Sequence, residues 1–263
     1  MTQLDIIFRS CTKDNPLGPP SRYIQSPKRD LTITCLKSVI ASMEMWNSRD
    51  HHQDLDWHMT LHLLEDQSPE EDREEMRRIL ANSKIDYVWH DIFAGSQPRS
   101  MSVAWEYCYN LPGEMLYILD DDYLHKPIAM TELVIAYTNI TCFLQSDAVL
   151  SSCDHHCYYK PSDVVPGIVL LGHQCHWKST NATTNSVLIS KPVFRKYRYL
   201  YDMIAMYDGG RNGISEITTI NRAYSQVPAF HPLPSISAHV SWPDTAIPFF
   251  DHNAIWDMYQ DPK

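Results

Sequence analysis

Apolar and polar positions divide the first half of the chain into alternating short runs and helical repeats. Leu4 to Phe8 is a short apolar, β-branched run and reads as a strand. Between Asp30 and Trp46 the apolar residues Leu31, Cys35, Leu36, Val39, Ile40 and Met43 recur at helical spacing, and Asp30 stands where an N-cap belongs. Trp57 to Leu64 reads as a second strand. A charged helix over Pro69 to Leu80 follows, with Ser68 as its cap and Pro69 at its first position. Ile85 to His90 is a third strand, and a helix runs from about Ser100 to Tyr109. Met115 to Leu119 is a fourth strand, and the three consecutive aspartates Asp120, Asp121 and Asp122 close it.

Strand and helix in alternation predict an α/β sheet with parallel strands. In such sheets ligands bind beyond the carboxyl ends of the strands. Arg9, Asp66 and the aspartate triplet all fall at such ends. The second half is less regular. Pro127 to Tyr137 reads as a helix; Ala148 to Ser151, Gly167 to Gly172 and Ser186 to Ser190 read as strands. Lys191 to Met206 and Glu216 to Tyr224 contain helices. After Val227 the chain is rich in proline and is expected to be a lid or wrapping tail. The expected organisation is therefore a regular half at 1–126 that ends in the aspartate triplet, a less regular half at 127–227 and a proline-rich segment at 228–263.

Composition narrows the class. Of 263 residues, 44% are hydrophobic and 21% charged, an ordinary globular balance. A formal net charge of -10 weighs against a protein that mainly grips nucleic acid through phosphates. The basic, aromatic stretch Lys191 to Arg198 is a local exception. Seven cysteines, an odd number in a chain of this size, argue against a disulfide framework and for a reducing cytoplasm. No signal peptide is legible, and no apolar run reaches the roughly 18 residues of a membrane helix, so stable insertion is not expected.

The triplet has two readings on its own residues. An Asp-x-Asp after a buried strand can share a divalent cation such as Mn2+ or Mg2+, whose charge relieves the repulsion and neutralises a diphosphate leaving group. The alternative is a solvated acidic turn. Cys153 and Cys157, with His155, His156, His173, Cys175 and His176, have a zinc-site composition but match no common zinc spacing. Asp154 and His155 either bind a ligand or satisfy each other in a loop. Trp177 either stacks on a sugar, as Trp242 could, or packs in the core. Thr184, with Thr183, sits either at a strand edge or against a sugar hydroxyl.

The order of these features resembles family 2-type glycosyltransferases with the GT-A fold. "LLEDQSPEE" (63–71) and "PRSMSVAWEYCYNLPGEMLYILDDDY" (98–123) carry the likeness in the first half. "CDHHCYYK" (153–160), "HWKSTNATTNSVLISK" (176–191) and "HPLPSISAHVSWPD" (231–244) resemble phage-type members in the second. The resemblance implies a Rossmann-like mixed sheet flanked by helices, with an irregular C-terminal segment. It implies that Asp66 binds the nucleotide base with Arg9 beside it, and that Arg99 approaches base or diphosphate. Asp120 would touch the ribose or donor sugar, and Asp122 would ligate the metal with the late His239. Asp121, the middle member of that donor-binding triplet, would face away. The general base of such enzymes opens a late helix. Here that stretch is "DGGRNGISEITTINRAY" (208–224), where Glu216 is the expected base and Asp208 the fallback. Ile217 departs from the family's acidic pair, and Glu216 could instead complement a helix N-terminus.

The function implied is inverting transfer of a sugar from a nucleotide-diphosphate donor, UDP-sugar by default, to a hydroxyl of a glycan or of a hydroxymethylated base in viral DNA. A nucleotidyltransferase, or a non-catalytic protein that binds nucleotide sugars, would use the same aspartates.

Overall fold

The computed structural model describes residues 1–14, 22–48, 55–154, 167–182, 186–207, 212–241, 247 and 250–260. The first half alternates as its patterning predicts: β1 (Thr2–Ser10), α1 (Lys28–Asn47), β2 (Trp57–Asp66), α2 (Glu70–Ala81), β3 (Asp86–Ile92), α3 (Gln97–Asn110) and β4 (Met115–Asp120). A short β5 (Tyr123–His125) leaves the triplet, and α4 (Ala129–Leu144) and β6 (Val149–Ser151) follow. Then come β7 (Val169–Leu170), β8 (His176–Thr180), β9 (Val187–Ser190), α5 (Lys191–Lys196), α6 (Arg198–Ile204), β10 (Ala229–Leu233), β11 (Ser237–His239) and α7 (His252–Asp257).

Nine of the strands form one mixed sheet in the order β3-β2-β1-β4-β9-β6-β10-β8-β7. Its first four strands are parallel, β9 runs against both β4 and β6, and β8 runs against β10. This is the Rossmann-like mixed sheet flanked by helices that the resemblance implies. A separate antiparallel pair, β5 with β11, sits beside the triplet and sets His239 opposite Tyr123.

Side chains alternate across the strands, and each face has its own core. Leu4, Ile6 and Phe8 of β1 join Met115, Tyr117 and Leu119 of β4 in one cluster, which α1 and α4 cover. Ile7, Leu116 and Ile118 join the other, with Trp105 of α3 and Phe194 of α5. Arg9 keeps the parity of Ile7 and so points to the α3 side.

Four expectations change. The cap position of α2 is Pro69, not Ser68, and Glu70 is its first residue. Asp30 lies in the first turn of α1 and does not cap it; the cap position is Pro27. The segment from Glu216 is a turn followed by a 3-10 helix over Ile220–Ser225, with the Thr219 and Asn221 N–H groups donating to the Glu216 carbonyl. The proline-rich segment is no lid over its first part: β10 lies inside the sheet between β6 and β8. Proline is tolerated there because β6 pairs only with Ala229 and Phe230, so Pro232 lies beyond the doubly paired section.

Candidate functional site

The strand order reverses between β1 and β4: the chain builds outward from β1 through β2 to β3, then returns to place β4 on the opposite side. That switch point is where a crevice opens at the carboxyl ends of a parallel sheet. Arg9 and Asp120 are register partners there. Their side chains form an ion pair, and the other Arg9 amino group donates to the Ser100 hydroxyl at 3.3 Å. Arg9 Nε is buried and has no hydrogen-bond partner. Burial pushes the Asp120 carboxyl up, against the pull of Arg9, and the neighbouring aspartates push the same way.

Each aspartate of the triplet has its own partner. Asp121 pairs with Lys28 at the start of α1 and accepts from the Cys11 N–H at 2.9 Å and the Thr32 hydroxyl at 3.1 Å. With both oxygens engaged by protein, Asp121 anchors the turn to α1 and is not placed to bind a donor, contrary to its inclusion in the donor-binding set. Burial works against the Lys28 ammonium, but Asp121 and Asp122 hold its pKa above the ordinary lysine value. Asp122 faces His239, with Oδ2 and Nε2 3.3 Å apart. Burial opposes the Asp122 charge, yet His239, Lys28 and the Ser241 hydroxyl together hold the carboxyl below its usual range. The repulsion within the triplet is thus offset by two protein cations, Arg9 and Lys28, with the His239 imidazole beside Asp122.

The Asp121–Lys28 pair is well shielded, with side chains 12% and 13% exposed. Removing one partner of such a pair strands the other charge. Lys28→Met is expected to lower unfolding free energy by about 3 kcal/mol. Adding Asp121→Asn should recover much of that loss; urea denaturation of the single and double variants checks it.

Asp66 ends β2, where Gln67 takes a left-handed φ of 59°. Asp66 Oδ1 accepts from the Ala94 and Gly95 N–H groups at 2.9 and 3.4 Å, joining the β2 and β3 ends. Arg99 is exposed in the first turn of α3, beside Ser100. Glu216 is half-buried, and burial, then the charge of Asp120, raises its pKa above the usual carboxylate range. Glu216 and Asp120 thus lie within electrostatic reach of each other.

Other expectations fare differently. Trp177 is 1% exposed and belongs to the same core cluster as Phe230 of the neighbouring β10, so it offers no face to a sugar. Asp154 is buried and paired with His231 at 2.9 Å, which gives it a structural partner. His155, Thr183, Thr184, Asp208 and Trp242 lie outside the described residues, as do His156 and Cys157 of the zinc composition. Cys153 is buried against Ser237, and burial pushes its thiol up to about 12. Cys175 lies instead against Glu132. Among the described residues no group of three or more His, Cys, Asp or Glu side chains could hold a metal ion. The basic stretch is largely used internally: Lys191 is buried, and Arg198 pairs with Asp202 at 2.7 Å and Glu106 at 3.1 Å. Lys28, Ser100 and Ser241 carry no local signature in the sequence; only the fold brings them to the triplet.

The protein can offer Mn2+ or Mg2+ a pair of ligands, Asp122 and His239. Asp122 Oδ1 is buried with no hydrogen-bond partner, so an acceptor remains for an ion. Mg2+ is commonly held by one or two carboxylates with substrate phosphates and water completing the shell, and a two-residue site fits that habit.

No family model matches the chain, and no curated protein matches its sequence. Among solved structures it is similar to a segment of S. aureus TarS at 9% identity, over 78% of this chain and 55% of that one, with a TM-score of 0.46. It is similar to an active-site mutant of LgtC at 9% identity, over 86% and 72% of the two chains, with a TM-score of 0.47. A putative glucose-1-phosphate thymidylyltransferase from Bacillus anthracis gives 10% identity, 100% and 97% coverage, and a TM-score of 0.49. The chain thus spans about half the length of the TarS segment. Likeness at this level assigns no chemistry. Among the described residues no helix is long and apolar enough to cross a membrane.

Proposed function

We propose that the chain is a metal-dependent inverting glycosyltransferase that moves a sugar from a nucleotide-diphosphate donor, UDP-sugar by default, to a glycan hydroxyl. The observation that carries the reading is the assembly at the switch point. Arg9 and Asp120 meet there, Asp122 faces His239 with a carboxylate oxygen still unpaired, and Glu216 lies within electrostatic reach. The divalent cation, when bound, neutralises charge on the departing diphosphate. Asp122 and His239 are the residues to hold it. Asp120 contacts the ribose or donor sugar, and Arg9 limits its charge. Asp66 faces the base, and Arg99 approaches the diphosphate from α3. Glu216 takes the acceptor's hydroxyl proton as that oxygen attacks the anomeric carbon; the nucleoside diphosphate leaves from the opposite face with the bonding pair, so the configuration inverts.

The internal use of Lys191 and Arg198 favours a glycan over a DNA acceptor. The first test is donor hydrolysis. Purified protein is incubated with UDP-sugars and Mn2+, and released UDP is measured with and without EDTA. Metal-dependent release supports the transferase. Release of pyrophosphate from a nucleoside triphosphate and a sugar 1-phosphate would instead establish a nucleotidyltransferase. Mass spectrometry with glycans and with hydroxymethylated DNA then identifies the acceptor.

A further inference from the structure

We propose that Phe93 is the platform on which the donor's nucleobase stacks, an inference that rests on the nucleotide-sugar reading above. Phe93 follows the last residue of β3 at the carboxyl rim of the sheet. Its neighbours are held inside, Ile92 at 9% exposure and Ala94 at 4%, while Phe93 itself is 78% exposed. No other aromatic side chain among the described residues is as exposed. A phenyl ring left in water forgoes burial that its neighbours achieve, and such a ring beside a crevice presents a flat apolar face to a ligand.

The loop that carries the ring is fixed by the candidate site. The Ala94 and Gly95 N–H groups donate to Asp66 Oδ1, so Asp66 holds the backbone directly after Phe93. Gly95 adopts a φ of +69°, and a Cβ there would stand 3.9 Å from Gln67 Nε2. The loop after β3 therefore packs on the turn after β2, and Phe93 is displayed from a braced position.

Strand order supplies the reach. Asp120 on β4 is three strands from β3, in the sequence β3-β2-β1-β4. With paired strands about 4.8 Å apart, the two rims are separated by about 14 Å. An extended nucleoside diphosphate covers such a span, with its base on Phe93 and the base's edge toward Asp66 at the end of β2, its ribose across the end of β1, and its diphosphate at the triplet. Stacking tolerates any base because every base has a π-face. Phe93 therefore supplies affinity, and polar edges nearby select among bases.

The experiment is calorimetric titration of the full chain, in the presence of Mn2+, with UDP, dTDP, GDP and pyrophosphate, the last having no base. Phe93→Ala is expected to weaken the tightest nucleotide by about 5- to 100-fold and to leave pyrophosphate binding unchanged. Phe93→Trp is expected to keep nucleotide affinity and to add a nucleotide-dependent change in emission over that of the wild type. If Phe93→Ala binds the nucleotide as tightly as the wild type, the stacking role is overturned and the nucleotide reading stands. An equal loss of pyrophosphate binding also overturns it, because the ring would then be supporting the crevice. If the wild type binds none of the three nucleotides, both the stacking role and the proposed function fall.

Discussion

Glu216→Gln is expected to lower turnover by about 10²- to 10⁴-fold while leaving nucleotide affinity intact. The substitution keeps the shape of the side chain and removes its ability to take a proton. Glu216 lies in the turn before the 3-10 helix, and its environment says how it should titrate. Burial, and after it the charge of Asp120, raise its pKa from the ordinary 4.5. The base works only when ionised, so the acidic limb of the pH–rate profile should have its midpoint above 4.5. The linkage to stability has the opposite sense: the folded chain favours the protonated carboxyl, so this group's contribution to stability grows as pH falls through its raised pKa. Donor and acceptor turnover across pH 4 to 8 (roughly the range a shifted carboxyl can cover) checks the profile, and titration of UDP into the variant checks affinity. Retained turnover in Glu216→Gln would remove it as the base and direct attention to Asp208.

The second large effect is at Asp122. Asp122→Asn is expected to lower turnover by about 10²- to 10³-fold and to abolish the response to added Mn2+. The amide keeps a hydrogen-bonding group toward His239 and Ser241 but carries no charge for a cation. His239→Ala should weaken Mn2+ binding in the same direction, because the imidazole is the other proposed protein ligand. Manganese affinity followed by electron paramagnetic resonance separates this from a loss of donor binding. An Asp122→Asn protein with wild-type Mn2+ affinity would exclude the metal role. Stability has its own signature here. Asp122 is held below its ordinary value of 3.8 in the folded chain, so its stabilising contribution is complete above that value and is lost as pH falls through the folded pKa.

What the sequence disclosed follows from how local each signal was. The first four strands are long enough to alternate or to form continuous apolar runs, and each is followed by a patterned helix. That rhythm is local, and the parallel half was legible from it. Arg9, Asp66 and the triplet could be named because each directly ends a strand. His239 could be named only through the family likeness. Lys28, Ser100 and Ser241 could not, because their roles depend on where α1, α3 and the segment after β11 come to rest. β10 was hidden for a related reason. Its five residues include Pro232, and its partners β6 and β8 lie tens of residues earlier. A strand defined by distant partners leaves no periodicity of its own. Trp177 shows the limit of residue type as a guide: an indole suits a sugar or a core equally, and only its neighbours decided.

The late insertion of β10 also sets an order of assembly. β6 and β8 flank a gap that only Ala229 to Leu233 can fill. A ribosome must therefore make most of the polypeptide before the sheet can become continuous. Until then, the nascent chain carries two unsatisfied strand edges beside an apolar interior, the kind of surface that invites association with other chains. The β3-β2-β1-β4 block, whose own strands all lie between Thr2 and Asp120, is the natural unit to condense first. The strand that completes its neighbour is followed within six residues by His239, so the chain that fills the sheet also delivers the partner of the acidic turn.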